Sequence, residues 1–296
     1  MNNLKPCTNH NSQLVSIIMA AYNAGEYIKS SVQSVLDQDY SNWELIIIND
    51  GSSDETANIV RSFTDSRITC LWQKNMGVSA ARNRGLEVAD GEYLTFLDAD
   101  DELPPSSISS RVAALKNDEE ADIADGVFEV FDSSSGSLLR LRYPGPRGPL
   151  LRRLLRLDES IFRNGCYLFR RKLLGDVRFC TEMKHAEDLL FFIEMAAATN
   201  PIFAPVQTST YSYRLNHISA MTDLAALEKG YFQLLQNINN FRKIRIAEQI
   251  PTYCKVASIL FRSWVRKGNF LHAIRCALKV FMKFYSNSTF VLGLWQ

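Results

Sequence analysis

The stretch Tyr93–Asp101, YLTFLDADD, constrains the fold of this chain more than any other part of it. Its first five residues are apolar or β-prone, and a run this short predicts a buried strand rather than a helix. The strand ends in three carboxylates, Asp98, Asp100 and Asp101, and two prolines soon stop any continuation. Because crowded carboxylates repel one another, the pattern favours a divalent cation with oxygen ligands, Mg²⁺ or Mn²⁺. The same residues also fit a solvated acidic turn before a helix.

Strand and helix patterns alternate on the N-terminal side of this stretch. The runs Leu14–Ala20 and Trp43–Ile48 are β-rich, and the second is so apolar that both its faces should be covered, as in a parallel sheet. Apolar residues recur at helical spacing over Tyr27–Leu36 and Val78–Val88. The alternation predicts an α/β sheet, in which ligands bind at the carboxyl ends of the strands.

Further local signals complete this pattern. Ser52 and Glu55 have the spacing of a capping box, which predicts that a helix begins there. Arg67–Trp72 is typical of a strand, Ile108–Leu115 of a helix, and Ile123–Phe131 of a long strand.

A second acidic pair, Glu187 and Asp188, opens a helix that should run to about Ala198. Carboxylates in a first helical turn are often only partners of the helix dipole, so this pair has a structural interpretation as well as a catalytic one. From Ala225 onward the pattern is helical and increasingly basic.

Charge is distributed unevenly along the 296 residues. Residues 1–130 carry 9 Lys and Arg against 21 Asp and Glu, whereas residues 241–296 carry 10 against 1. An acidic front half argues against nucleic-acid binding. The tail suits an anionic membrane surface, although core packing with a solvated basic face is the commoner case. Its apolar face comprises Ile274, Ala277, Leu278, Phe281 and Tyr285, and its basic face Arg275, Lys279 and Lys283.

The six cysteines are scattered, with no C-x-x-C pair, which argues against both a zinc site and a disulfide framework and favours a reducing compartment. Residues 1–13 are polar and lack a signal-peptide core, and no run reaches about 18 apolar residues. We therefore expect a cytoplasmic protein, with a peripheral position on the inner face of the cell membrane as the second option.

Five motifs stand in order along the chain: Ala21-Tyr22-Asn23, Asn49 to Asp54, Gly77 to Asn83, Asp98 to Asp101, and Glu187-Asp188. Together they resemble the family-2 glycosyltransferases of the GT-A fold. The resemblance extends from Val15 to about Ser219, with Ala20 where the family usually has proline. It implies an α/β fold with a Rossmann-like mixed sheet and a C-terminal helical extension. The expected division is a polar lead (1–13), a nucleotide-sugar half (14–103), an acceptor half (104–222) and a basic helical extension (223–296).

The same resemblance assigns roles to individual residues. Asp188 would be the general base, with Glu187 orienting it or an acceptor hydroxyl. Asp98 would contact the ribose, and Asp100 together with Asp98 would hold Mn²⁺ or Mg²⁺. His217 would complete the metal shell, although a lone histidine is more often structural. The residues implied for the donor nucleotide sugar are Ala21, Tyr22, Asn23, Glu26, Asp50, Gly77, Arg82, Asp98 and Asp100.

The implied reaction is an inverting transfer from a nucleotide sugar to a hydroxyl of a saccharide or lipid-linked saccharide, in surface polysaccharide synthesis. Asp50 would accept the N3–H of uracil or thymine, which narrows the donor to UDP or dTDP sugars; a turn-forming aspartate is the structural alternative. A non-catalytic nucleotide-sugar-binding module remains open. A sugar-nucleotide pyrophosphorylase would need a glycine-rich phosphate loop, which the stretch Met19–Gly25 lacks.

Overall fold

The computed structural model describes residues 13–161, 166–215, 223–241 and 244–292, with side chains up to Tyr285. Nine strands in these residues form one mixed sheet. The strands are β1 (Val15–Ala21), β2 (Trp43–Asp50), β3 (Ile68–Gln73), β4 (Tyr93–Phe96), β5 (Ala121–Asp132), β6 (Leu138–Arg142), β7 (Gly148–Pro149), β8 (Leu168–Arg170) and β9 (Ile202–Leu215).

The sheet has the order β3-β2-β1-β4-β8-β5-β9-β7, with β6 paired to β5. Strand β1 is parallel to β2 and β4, whereas β8 is antiparallel to both β4 and β5. Strand β9 is in turn parallel to β5. The carboxyl ends of β1, β2, β4, β5 and β9 therefore open on the same edge. The predicted mixed α/β sheet is confirmed, and it continues across the expected boundary at residue 103.

Helices cover both faces of the sheet, and three more form the C-terminal extension. Their bounds are α1 (Ile28–Leu36), α2 (Thr56–Arg61), α3 (Val78–Val88), α4 (Ser107–Asn117), α5 (Leu151–Leu155), α6 (Glu187–Thr199), α7 (Leu224–Asn240), α8 (Ile246–Arg266) and α9 (Phe270–Leu292).

The predicted capping box before α2 is wrong. The helix begins at Thr56, and the side chain of its N-cap residue, Glu55, makes no capping hydrogen bond; Asp54 Oδ1 accepts from the Thr56 N–H at 3.1 Å. The Ser52 hydroxyl instead accepts a hydrogen bond from the Asn23 N–H, at 3.0 Å. The local spacing was correct, but a neighbouring loop uses the hydroxyl that the cap would need.

Apolar residues on alternate sides of the central strands build two cores. Ile18, Ile48 and Phe96 belong to the core that also contains α6 and the C-terminal helices. Ile17 and Ile47 point to the opposite face, against α1 and α4. A strand presents successive side chains to opposite faces, so continuous apolar runs are required where both faces are covered.

Helix α3 lies unusually close to the sheet. A Cβ on Gly85 would lie 2.4 Å from Cγ2 of Ile18, so only glycine permits this approach. The close packing places Arg82, one turn earlier on the same helix, behind the carboxyl end of β4.

Helix α9 has a buried face and an exposed apolar face. Ala273, Cys276 and Val280 are completely buried. On another side, Leu271 is 82% exposed. Five further apolar residues on this side are also exposed, by 38–72%: Ile274, Leu278, Phe281, Met282 and Tyr285. Across the described residues, the helices are either too short or too polar to span a lipid bilayer.

Candidate active site

A cavity of about 530 Å³ opens at the carboxyl edge of the sheet. It brings together most of the donor residues expected from the sequence, but Glu26 and Gly77 are not among those that line it. Tyr27, Val78 and Ala99 line it without having been predicted. The predicted residues that line it are Ala21, Tyr22, Asn23, Asp50, Arg82, Asp98 and Asp100.

Arg82 connects the two acidic segments. Its guanidinium donates to Asp98 Oδ1 at 2.8 Å and to Glu187 Oε1 at 3.3 Å, although Glu187 is 105 residues away in sequence. The residue is only 7% exposed, with the ring centroid of Phe179 5.3 Å from its guanidinium carbon. Burial by itself lowers the pKa of Arg82, but Asp98 and then Glu187 outweigh it and raise the pKa. The guanidinium therefore stays charged and braces both carboxylates.

Two residues at the end of β9 donate hydrogen bonds to the acidic turn after β4. The Tyr211 hydroxyl and the Arg214 backbone N–H each donate to the Asp101 carboxylate at 2.8 Å. The Arg214 side chain also donates to the Asp100 carbonyl at 3.0 Å. Sequence reasoning assigned no site role to Tyr211 or Arg214, because the only local signal was the end of a strand.

Asp98 and Asp100 suit a divalent cation. Burial, and then the charge of Asp98, raise the pKa of Asp100 above its ordinary value. A cation would remove this electrostatic cost, and two carboxylates are hard oxygen donors of the kind that Mg²⁺ and Mn²⁺ prefer. Asp101 is less suited, because its carboxylate already accepts the two hydrogen bonds from β9.

Asp50 lies at the end of β2, and its carboxylate already accepts three hydrogen bonds. Oδ1 accepts hydrogen bonds from the Gln73 side chain at 2.7 Å and from the Met76 N–H at 2.9 Å. Oδ2 accepts from the Gly77 N–H at 2.8 Å, so Gly77 holds the loop before α3 to β2. A carboxylate has about four acceptor positions, which leaves about one for a ligand.

The loop after β1 is joined to the loop after β2. Asn23 Oδ1 accepts from the Ser53 N–H at 2.9 Å, and the Gly25 N–H donates to Asp54 at 2.8 Å. Tyr22 is 55% exposed at the cavity mouth. Glu26 is exposed and interacts with the Tyr27 hydroxyl, whose pKa it raises. Glu26 therefore contacts Tyr27, which lines the cavity, but does not line the cavity itself.

Glu187 and Asp188 form the first turn of α6, directly after Ala186. Ala186 has a φ of +59°, a left-handed conformation that costs an L-residue about 1–2 kcal/mol. Such strain persists where surrounding contacts determine the backbone, often at functional sites. Burial, and then the charge of Glu187, raise the pKa of Asp188 to about 7, while Arg82 acts in the opposite direction. A carboxyl group with this pKa can accept a proton near neutral pH.

Residues of α3 and α7 contact the segment that precedes Glu187 and Asp188. The Asn83 amide bonds both the N–H and the carbonyl of Phe179, at 2.8 and 2.9 Å. A Cβ on Gly230 of α7 would lie 2.7 Å from the His185 carbonyl oxygen, so α7 contacts this backbone directly. Burial, and then the charge of Asp188, raise the pKa of Tyr231 to about 12. The C-terminal extension is thus part of the environment of Glu187 and Asp188. The predicted metal ligand His217 lies outside the described residues.

Sequence comparison identifies related proteins. The profile of glycosyl transferase family 2 matches residues 16–178, more than half of the chain. The UDP-Glc:alpha-D-GlcNAc-diphosphoundecaprenol beta-1,3-glucosyltransferase WfaP of Escherichia coli is 42% identical over 107 residues, 36% of this chain and 43% of WfaP. Three other curated glycosyltransferases are matched over 42%, 62% and 18% of their lengths, so this chain spans less than two thirds of these relatives.

Solved structures share the fold. S. aureus TarS 1-349 in complex with UDP-GlcNAc superimposes with a TM-score of 0.69 at 19% identity, covering 93% of this chain and 81% of that one. The mannosyltransferase PcManGT from Pyrobaculum calidifontis, in complex with GDP-Man and Mn²⁺, gives a TM-score of 0.63 at 17% identity, covering 94% and 80%. Both are similar to this chain in its sheet and in much of its helical part.

Proposed function

This chain belongs to glycosyl transferase family 2, and we propose that it moves a sugar from a UDP-sugar or dTDP-sugar to a hydroxyl of a saccharide or lipid-linked saccharide. The transfer is inverting and depends on a divalent cation. WfaP, whose name specifies UDP-Glc as donor and a diphosphoundecaprenol-linked acceptor, supports this class of substrates. The proposed setting is the synthesis of a surface polysaccharide.

The observation that carries the proposal is the pair of contacts made by Arg82. Through them, Arg82, which lines the cavity, connects the acidic turn after β4 to the first turn of α6. The donor and the acceptor hydroxyl must meet between a charge-stabilising group and a base, and this arrangement supplies both. A nucleotide-binding module would need the first group but would have no use for a carboxyl group with a pKa of about 7.

On the donor side, the cavity takes the nucleotide diphosphate and its sugar. Asp98 and Asp100 would hold Mn²⁺ or Mg²⁺, which supplies positive charge to the departing diphosphate when it is bound. Arg82 keeps Asp98 in place and adds a fixed positive charge behind it.

On the acceptor side, Asp188 accepts the proton of the attacking hydroxyl. The acceptor oxygen forms a bond to the anomeric carbon, and the bond from that carbon to the phosphate oxygen breaks on the opposite side. The electron pair leaves with the nucleotide diphosphate. One displacement inverts the anomeric centre, so an α-linked donor yields a β-glycoside.

Turnover of nucleotide sugars in the presence of Mn²⁺ tests this function. A panel of UDP-, dTDP-, GDP- and CDP-sugars is incubated with the protein, and release of the nucleotide diphosphate is measured. We expect slow Mn²⁺-dependent hydrolysis of a UDP- or dTDP-sugar. Binding without any turnover would indicate the binding module, and activity that requires pyrophosphate would indicate a pyrophosphorylase.

Donor selection gives a sharper prediction, since PcManGT shows that this fold also takes GDP-Man. With Mn²⁺ present, UDP should bind more tightly than CDP by about 1.5–3 kcal/mol, because CDP presents an acceptor at N3 to the Asp50 carboxylate. Calorimetric titration of both nucleotides measures the difference.

The Asp50→Asn variant separates base recognition from loop support. If Asp50 contacts the base, the variant loses the preference for UDP over CDP. If Asp50 only holds Gln73, Met76 and Gly77, the melting temperature falls and the preference remains. Equal affinity of the natural chain for UDP and CDP would refute the assignment.

We also propose that α9 places the enzyme on an anionic membrane surface, where lipid-linked acceptors are found. The outer stripe, which we define as Leu271, Ile274, Leu278, Phe281, Met282 and Tyr285, is exposed although it is apolar. Arg275 and Lys279 are exposed beside it. An apolar stripe flanked by basic residues fits the boundary between lipid headgroups and acyl chains.

Vesicle sedimentation tests this surface without disturbing the core. Deleting α9 would remove the buried Ala273, Cys276 and Val280, so point substitutions are preferable. A triple variant with serine at Leu271, Leu278 and Met282 should bind phosphatidylglycerol vesicles at least about tenfold more weakly, because three apolar side chains no longer enter the bilayer. Added salt should also weaken binding by the natural chain.

The matched control replaces Leu138 and Leu139 by serine, since both are exposed on β6, far along the chain from α9. This variant should bind vesicles like the natural chain. Equal binding by the triple variant, or no vesicle binding by the natural chain, would contradict the membrane proposal.

A further inference from the structure

Three potential metal ligands of different types converge within the C-terminal extension. They are Glu228 of α7 and His272 and Cys276 of α9, and their ligand atoms all lie within 4.8 Å of one another. His272 Nε2 is 2.9 Å from Glu228 Oε2. We propose that this cluster is a zinc site, separate from the donor cavity.

The helix geometry explains why these side chains meet. His272 and Cys276 are four residues apart, so they lie on the same face of α9, one turn above the other. That face also carries the buried residues Ala273 and Val280 and packs against the rest of the extension. Glu228 reaches the pair from a different helix, which gives the site ligands from two elements.

The set of donors selects the metal. Thiolate, imidazole and carboxylate are the three ligand types that zinc takes in proteins, usually in tetrahedral geometry. Mg²⁺ and Mn²⁺ prefer oxygen ligands, so a cysteine and a histidine disfavour them. A tetrahedral zinc ion with these ligands needs ligand atoms roughly 3.2–3.8 Å apart. Zinc binding would move His272 Nε2 and Glu228 Oε2, which are 2.9 Å apart, slightly away from each other, and would bring ligand atoms that are up to 4.8 Å apart closer by up to about 1 Å. The side chains of Glu228 and His272 are partly exposed, which leaves room for these movements and for a water as fourth ligand.

Trp264 of α8 supports the arrangement from outside. Its indole N–H donates to Glu228 Oε2 at 3.1 Å, and its ring centroid lies 4.2 Å from that of His272. Tryptophan has no ligand atom for a metal, but it orients the carboxylate and the imidazole. Such outer partners commonly fix the orientation of metal ligands.

The position of the cluster gives the ion a structural role. Its ligands come from α7 and α9, two helices of the C-terminal extension. The ion would join α7 to α9, and α7 also contacts the backbone at His185.

The experiment measures zinc on the purified full chain. After dialysis against micromolar zinc, we expect one zinc ion per chain by mass spectrometry and a higher melting temperature than after chelation. Cys276→Ser and His272→Gln should each weaken zinc binding at least about 100-fold, because ligands contribute more than the outer partners, whose loss costs 10–100-fold. His272→Gln is included because Cys276 is fully buried and its replacement could disturb folding.

The matched control is Cys254→Ser, which changes an exposed cysteine on α8 outside the cluster. It should bind zinc like the natural chain. Asp100→Asn should do so too, which separates this site from the metal at the donor cavity. Cobalt provides a direct signature, since a thiolate-to-cobalt absorption band should be present in Cys254→Ser and absent in Cys276→Ser.

Two results would overturn the zinc site. One is the absence of stoichiometric zinc from the natural chain at micromolar concentration, which would leave the cluster as a hydrogen-bonded connection between helices. The other is equal zinc affinity in Cys254→Ser, Cys276→Ser and His272→Gln. Both outcomes are independent of the transferase activity, because the donor cavity contains none of these residues.

Discussion

The Asp188→Asn variant is expected to transfer sugar about 10²–10⁴-fold more slowly than the natural chain. Asparagine keeps the size and hydrogen bonding of the side chain but cannot accept the proton of the acceptor hydroxyl. The affinity for UDP should stay within a few-fold, since the base acts on the acceptor and mainly in the transition state. Single-turnover transfer rates and calorimetric UDP titration on the same preparation measure both quantities.

Glu194→Gln provides a matched control on the same helix. Burial raises the pKa of Glu194 too, but this residue lies two turns further along α6. The control should therefore transfer sugar at nearly the natural rate. Near-normal transfer by Asp188→Asn would remove the base from the mechanism and leave Asp188 as a partner of the helix dipole.

The dependence on pH follows from the same residue. Because the pKa of Asp188 is raised to about 7, the transfer rate should rise about tenfold per pH unit below 7 and level off above it. Glu187, Arg82, Asp98 and Tyr231 are the charged or titratable groups that act on it.

The stability of the folded natural chain relative to Asp188→Asn should fall as the pH rises, whereas the transfer rate should increase. A carboxyl group whose pKa is higher in the folded state than in the unfolded state favours folding when protonated. The natural chain should therefore lose stability relative to Asp188→Asn as the pH rises from about 4 through 7. Melting temperatures at pH 5 and pH 8 measure this difference. If Asp188 only capped the helix, the variant would be the less stable protein at both pH values.

The Asp100→Asn variant should lose Mn²⁺-stimulated UDP binding and, with it, sugar transfer. The substitution removes a charged ligand from a site where the metal supplies several kcal/mol of charge stabilisation. The fold should survive, because burial and the neighbouring Asp98 already raise the pKa of the half-buried Asp100, so a neutral amide relieves repulsion. Calorimetric titration of UDP with and without Mn²⁺, together with melting temperature, measures both effects.

Asp90→Asn is the control, since Asp90 is exposed and lies before the amino end of β4, opposite the cavity. Mn²⁺ should stimulate UDP binding to this variant as it does with the natural chain. Unchanged transfer after exhaustive chelation, or full Mn²⁺ stimulation in Asp100→Asn, would contradict the metal-dependent mechanism.

Sequence patterns predicted strands β1 to β5 and the sheet edge at which the candidate site lies, whereas β6, β7 and β8 were not predicted. The predicted helix Val78–Val88 has the bounds observed for α3, and the apolar run Trp43–Ile48 lies within a strand buried on both faces. These features depend on periodicity and burial, which local sequence records directly. Carboxylates placed after strands also had to meet at one edge, because β1, β2 and β4 are parallel.

Contacts between distant side chains depend on how the elements pack, which local sequence does not specify. Neither local pattern around Arg82 or Glu187 indicates their contact, because it depends on how α3 and α6 pack on the same face of the sheet. The Ser52 hydroxyl, predicted to cap α2, instead accepts a hydrogen bond from Asn23 in the loop after β1.

Local sequence also does not indicate the contacts between β9 and the acidic turn, or the cluster of Glu228, His272 and Cys276 in the C-terminal extension. Tyr211 meets Asp101 across 110 residues, and Glu228 meets His272 across 44. Hydrogen bonds of this kind form between segments that are brought together only when the core closes. Periodicity specifies which face of an element is buried, but the partner of a polar side chain is determined by the packing of elements that are distant in sequence.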